Sequence, residues 1–209
     1  LPAKNPAVIQ YQPESGMIYI ACQGRYDASW AGVPAQYSGG ILKLNSNTYE
    51  VEMVIDDGDD ENHPYGNISN MVLVSENKAY FVGYADFGDN TLYAFNPSTG
   101  AVAGPAVPEL ANKTINDLAL DENGLVWAAN GTDGTVEILA PQTDAIDETV
   151  DTNLNPAAIA FANDDDYIYY LPYLVNGDDY ATALALRNLN ASETAIVDIV
   201  GYSKSGVTI

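Results

Sequence analysis

Residues 115–143 read INDLALDENGLVWAANGTDGTVEILAPQT, and the architecture of the chain can be built outward from this stretch. Ile115 to Leu120 make a short, largely apolar run that stops at Asp121-Glu122-Asn123-Gly124. Those are hairpin residues, because Asn, Asp and Gly accept the backbone angles of a tight reversal. A second apolar run follows around Trp127, then the polar link Gly131 to Gly134, then a third run from Thr135 that ends in the turn Ala140-Pro141-Gln142-Thr143. Apolar runs this short, punctuated at each end by turn chemistry, are strands of antiparallel hairpins; a helix needs more length and a 3.6-residue period.

The same grammar occurs three more times. Residues 8–24 (VIQYQPESGMIYIACQG), 71–84 (MVLVSENKAYFVGY) and 158–173 (AIAFANDDDYIYYLPY) each give strand, polar turn, strand. An aromatic recurs in each second strand, at Tyr19, Phe81, Trp127 and Tyr169, and these are expected to be core. A second hairpin opens at Gly40, Thr91, Thr135 and Ala183 (GILKLNSNT, TLYAFNPST, TVEILAPQT, ALALRNLNA), at spacings of roughly 44 to 51 residues. A fourth strand closes the unit, as in residues 49–55 (YEVEMVI) and 194–200 (TAIVDIV). Four antiparallel strands repeated every ~40 to 50 residues are the blades of a β-propeller. The predicted fold is therefore an all-β propeller with four blades in this chain, over residues 5–62, 63–113, 114–155 and 156–209. A β-sandwich would not produce four matching double hairpins, and a β-helix has much shorter coils. Residues 107–116 have some helical composition, but Pro108 and their shortness predict a loop.

How the ring closes is open at this level. Small propellers close with a disulfide or a strand exchanged between first and last blades, and the single cysteine, Cys22, excludes an internal disulfide. Either the four units form a closed ring, or they are part of a larger ring of six to eight blades, the rest being further blades or another copy of the chain. The chain opens on Leu1 rather than Met, without a visible signal peptide, so a longer natural product is expected.

Composition narrows the partners. Seven basic residues face 29 acidic ones, a formal net charge of -22. That field repels phosphate backbones, so nucleic acid is excluded as a partner. No run approaches the ~18 apolar residues of a membrane helix. Tyrosine outnumbers phenylalanine 15 to 4, which suits strands with one packed and one wet end. Four Asn-x-Ser/Thr sequons stand at Asn67, Asn112, Asn130 and Asn190.

Units of the form strand, Asn-Gly turn, Val-Trp-Ala-Ala, then Gly-Thr-Val-x-Ile-Leu-x-Pro-x-Thr resemble bacterial YVTN-type surface propellers, and are similar also to NHL and gluconolactonase-type propellers. The first resemblance implies a binding or scaffold role in a secreted or surface-displayed protein, extracellular or periplasmic. The last rests on Asn116-Asp117, which precedes an inner strand as an Asn-Asp motif does in that family. It implies a divalent metal in the channel held by Glu, Asn and Asp from separate blades, and a metal-dependent lactonase or hydrolase. The family's other ligand positions have no matching motif here.

Strand order assigns the loops to faces. Loops from second to third strand, and from each outer strand to the next blade, share one face, where propeller ligands commonly sit. Residues 23–39 (QGRYDASWAGVPAQYSG) place Arg25, Tyr26, Asp27, Trp30 and Tyr37 there. Residues 56–66 (DDGDDENHPYG) add Asp56, Asp57, Asp59, Asp60, Glu61 and the only histidine, His63. Asp86, Asp89, Asn130, Asp133, Asn176, Asp178 and Asp179 complete the set. Oxygen-rich loops suit Ca²⁺, although the spacing departs from an EF-hand and such residues also simply make turns. Trp30 is placed to stack on a sugar or anchor a protein. Asn70 and Asn116 occupy matching positions at the channel rim, where they either bind a ligand or bond to the neighbouring blade. Two functions follow: a binding or scaffold propeller for a protein, glycan or cation, or a metal-dependent hydrolase at the channel mouth.

Overall fold

The computed structural model describes residues 2–24, 39–58, 62–86 and 89–161, with the short stretches 176–177 and 180–181. It is all-β. The first sheet holds β1 (Pro6–Gln12), β2 (Met17–Cys22), β3 (Gly40–Asn45) and β4 (Val51–Asp56). The second holds β5 (Asn67–Ser75), β6 (Lys78–Asp86), β7 (Asp89–Phe95) and β8 (Val102–Pro105). The third holds β9 (Ile115–Leu120), β10 (Val126–Asn130), β11 (Thr135–Ala140) and β12 (Ala145–Asp151). Each is a four-stranded antiparallel meander in chain order, the blade form the repeats predict. In the fourth repeat a two-residue pair, β13 (Asn176–Gly177) with β14 (Tyr180–Ala181), is described; Tyr169 and the 194–200 strand lie outside the described residues. One 3₁₀ turn, Pro108–Leu110, sits in the 107–116 link and buries Leu110 against the second seam.

Because side chains alternate across a strand, each blade has one face toward the blade before it and one toward the blade after. Between the first two blades, Tyr19, Ala21, Ile41 and Ile55 meet Met71, Leu73, Phe81 and Phe95. Between the second and third, Tyr80, Val82 and Leu92 meet Leu118, Val126 and Leu139. The far face of the third blade, with Trp127, Val136 and Ile138, packs on Ile159 and Phe161 of the fourth repeat. The core is thus a series of seams.

The seams correct the expected aromatic series. Tyr19 and Trp127 face the following blade, but Phe81 faces the preceding one; the residue equivalent to Tyr19 and Trp127 is Tyr80. A slip of one residue moves a side chain to the opposite face, and the adjacent aromatics Tyr80-Phe81 satisfy either register by composition. Tyr19, Tyr80, Phe81 and Trp127 are all buried.

The polar tips of two of these aromatics tie the first blade to the second and the second to the third. The Tyr19 hydroxyl donates to the Pro97 carbonyl at 3.3 Å, and the Tyr80 hydroxyl donates to the Asp144 carboxylate. Both acceptors lie in the same five-residue turn, 96–100 and 140–144, whose last residue is left-handed (Gly100 φ 74°, Asp144 φ 54°). At Gly100 a Cβ would stand 2.1 Å from the Val54 carbonyl oxygen of the preceding blade, so that turn fits its neighbour only as glycine. Lys78 completes the second tie, 2.6 Å from Asp144 and 4.9 Å above the Tyr80 ring.

Burial, and then the hydrogen bond and charge of Asp144, hold the Tyr80 hydroxyl far above the ordinary tyrosine range. Burial likewise raises Tyr19 and Tyr65. An unfolded tyrosine ionises near pH 10, so the stability tied to the protonated hydroxyl is complete below that pH and is lost as pH rises above it. For Tyr80 the loss runs at up to about 1.4 kcal/mol per pH unit. Urea unfolding at a series of pH values should show stability falling from about pH 10 upward, with a shallower slope in Tyr80→Phe; an identical slope would remove Tyr80 from this account.

Candidate functional site: the inner rim and its loop face

The inner strands carry a chain of polar side chains that reach across the seams. Gln10 of β1 donates to the Met71 carbonyl at 2.9 Å and accepts from the Leu73 N–H at 2.8 Å, so its amide substitutes for a strand neighbour of β5. Asn70 of β5 donates to the Asp117 carboxylate at 3.0 Å and to the Asn116 carbonyl at 3.4 Å. Asp117 of β9 accepts from the Ile159 N–H at 2.8 Å and from its own neighbour Leu118 at 2.9 Å. Asn116 donates to Asn155 Oδ1 and the Pro156 carbonyl, both at 2.6 Å. Gly131 makes room for that pair, since a Cβ there would lie 2.3 Å from Asn155 Oδ1 and 2.6 Å from Asn116 Nδ2. Asn70, Asn116 and Asp117 are thus brought together by bonds that run from blade to blade, with Asp117 rather than Asn116 in the position equivalent to Asn70.

Gln10 is the rim residue that sequence reasoning passes over. The signal was present: a lone amide in a run of Val8, Ile9 and Tyr11 must find partners if its face packs. In the sequence, Asp121 reads only as a turn residue. It is buried, and its carboxylate accepts from the Asn123 and Leu125 N–H groups, each at 2.9 Å, and from the Trp127 indole N–H at 3.0 Å.

On the loop face, Asp57 is fully buried and accepts the Tyr65 N–H at 2.8 Å, closing the loop between β4 and β5. Asp56 accepts the Gly58 N–H at 2.9 Å in a local turn. The side chain of His63 is exposed. Asp133 accepts Lys113 at 2.8 Å and Asn130 at 2.9 Å, and these hydrogen bonds hold its carboxyl below the usual range. The β6–β7 hairpin brings the backbones of Asp86 and Asp89 opposite each other. Asn112 is the exposed sequon asparagine among the described residues; Asn130 is fully buried and Asn67 partly so. Arg25, Tyr26, Asp27, Trp30, Tyr37, Asp59, Asp60, Glu61, Asp178, Asp179 and Asn190 lie outside the described residues. Among the described residues, no three His, Cys, Asp or Glu side chains come together in a way that would hold a metal ion.

Asn116 and Asp117 can be tested against the metal that a lactonase-type site needs. A carboxylate ligand must offer lone pairs to the ion. Both oxygens of Asp117 are engaged by N–H donors, and the Asn116 amide is engaged by Asn155 and Pro156. As they stand, these two residues form a structural joint between blades, and its bonds leave Asn116 Oδ1 and one lone pair of Asp117 Oδ2 as oxygen donors.

No protein-family model matches the chain, and no curated protein does. Solved structures do. One, described as a gluconolactonase, is 17% identical and aligns over 77% of this chain and 52% of its own, with a TM-score of 0.51. Nidogen, in its complex with laminin, is 10% identical over 72% of this chain and 49% of its own, TM-score 0.48. Regucalcin of Agrobacterium tumefaciens, a calcium-binding protein, is 15% identical over 70% and 45%, TM-score 0.44. The chain therefore spans about half the length of the structures it matches. Likeness at these identities shows the fold: blades of a β-propeller, matching part of six-bladed rings.

Proposed function

We propose that this chain is a binding propeller that serves as a rigid scaffold for its loop face. The observation that supports it is the use of the rim. Gln10, Asn70, Asn116 and Asp117 spend their polar atoms on blade-to-blade hydrogen bonds, which fixes the ring and leaves recognition to the loops. Those loops are 23–39 and 56–66, with Arg25, Asp27, Trp30, Tyr37 and His63 as the contacts toward a ligand, and with Asp56, Asp59, Asp60 and Glu61 supplying negative charge while the buried Asp57 holds the loop. A net charge of -22 selects a partner that is not anionic: a protein surface, a neutral or basic glycan, or a cation such as Ca²⁺. The protein would work outside the cell, secreted or surface-displayed.

The rival reading is a metal-dependent lactonase, supported by Asn116-Asp117 before an inner strand and by the propeller fold it shares with the gluconolactonase match. Melting in the presence of Ca²⁺, Mn²⁺ or Zn²⁺, followed by a lactone-hydrolysis assay, separates the two. The binding reading expects no metal-dependent turnover, and glycan or protein binding that is lost on Trp30→Ala. Metal-dependent turnover abolished by Asn116→Ala would overturn it.

A further inference from the structure

We draw no further inference here: the strongest candidate, the shallow cleft between the β1–β2 and β5–β6 hairpin turns lined by Glu14, Val74, Ser75, Glu76 and Asn77, is an acidic cluster with nothing in the structure to show what would occupy it.

Discussion

Phe81→Ala is expected to lower the unfolding free energy by about 3–5 kcal/mol, the range for emptying a fully enclosed aromatic site. Phe81 is 0% exposed and lies in the seam between the first two blades. Its ring stacks on Tyr93 at 5.1 Å and meets Tyr65 and Phe95 edge-on at 5.3 and 5.7 Å. Tyr93 and Phe95 come from β7 of the same blade and Tyr65 from the loop after β4, while Tyr19, Ala21, Ile41 and Ile55 of the first blade close the other side of the seam, so the site cannot collapse without moving a blade. Urea unfolding by circular dichroism measures the effect. A loss under about 1 kcal/mol would mean that the seam repacks and is not the rigid joint described above.

Asp117→Ala should cost about 3 kcal/mol, and should cost the same in EDTA as in Ca²⁺. Removing the carboxylate strands the Ile159 N–H and the Asn70 amide at adjoining seams, and hydrogen bonds to a charged acceptor contribute about 1.5–3 kcal/mol each, reduced here by partial access to water. Asp117→Asn keeps one acceptor oxygen and should lose less. A destabilisation that appears only with a divalent ion present would make Asp117 a metal ligand and favour the hydrolase reading. The first result separates a joint from a catalytic centre at a residue both readings claim.

Strand positions and blade form were legible in the sequence because both are local. The turns Asp121 to Gly124 and Asn96 to Gly100 name their own conformation, and the runs between them are too short to be anything but strands. Repetition exposed the polar rim but missed its register by one residue: the equivalent of Asn70 is Asp117, not Asn116, each accepting the N–H of the residue after it. The partners of those residues were not legible. Asn70 finds Asp117 only because two inner strands, far apart in the chain, lie side by side at a seam.

The division follows from the range of the forces. Alternation, turn chemistry and charge act between near neighbours along the chain, and they specify an acidic, all-β chain of four-stranded blades. Face, register and pairing act between blades. A one-residue shift is invisible to composition when Tyr80 and Phe81 stand together, yet it decides which of them meets the next blade. The packing of whole blades settled that choice and turned Asn116 and Asp117 toward hydrogen bonds across the seams.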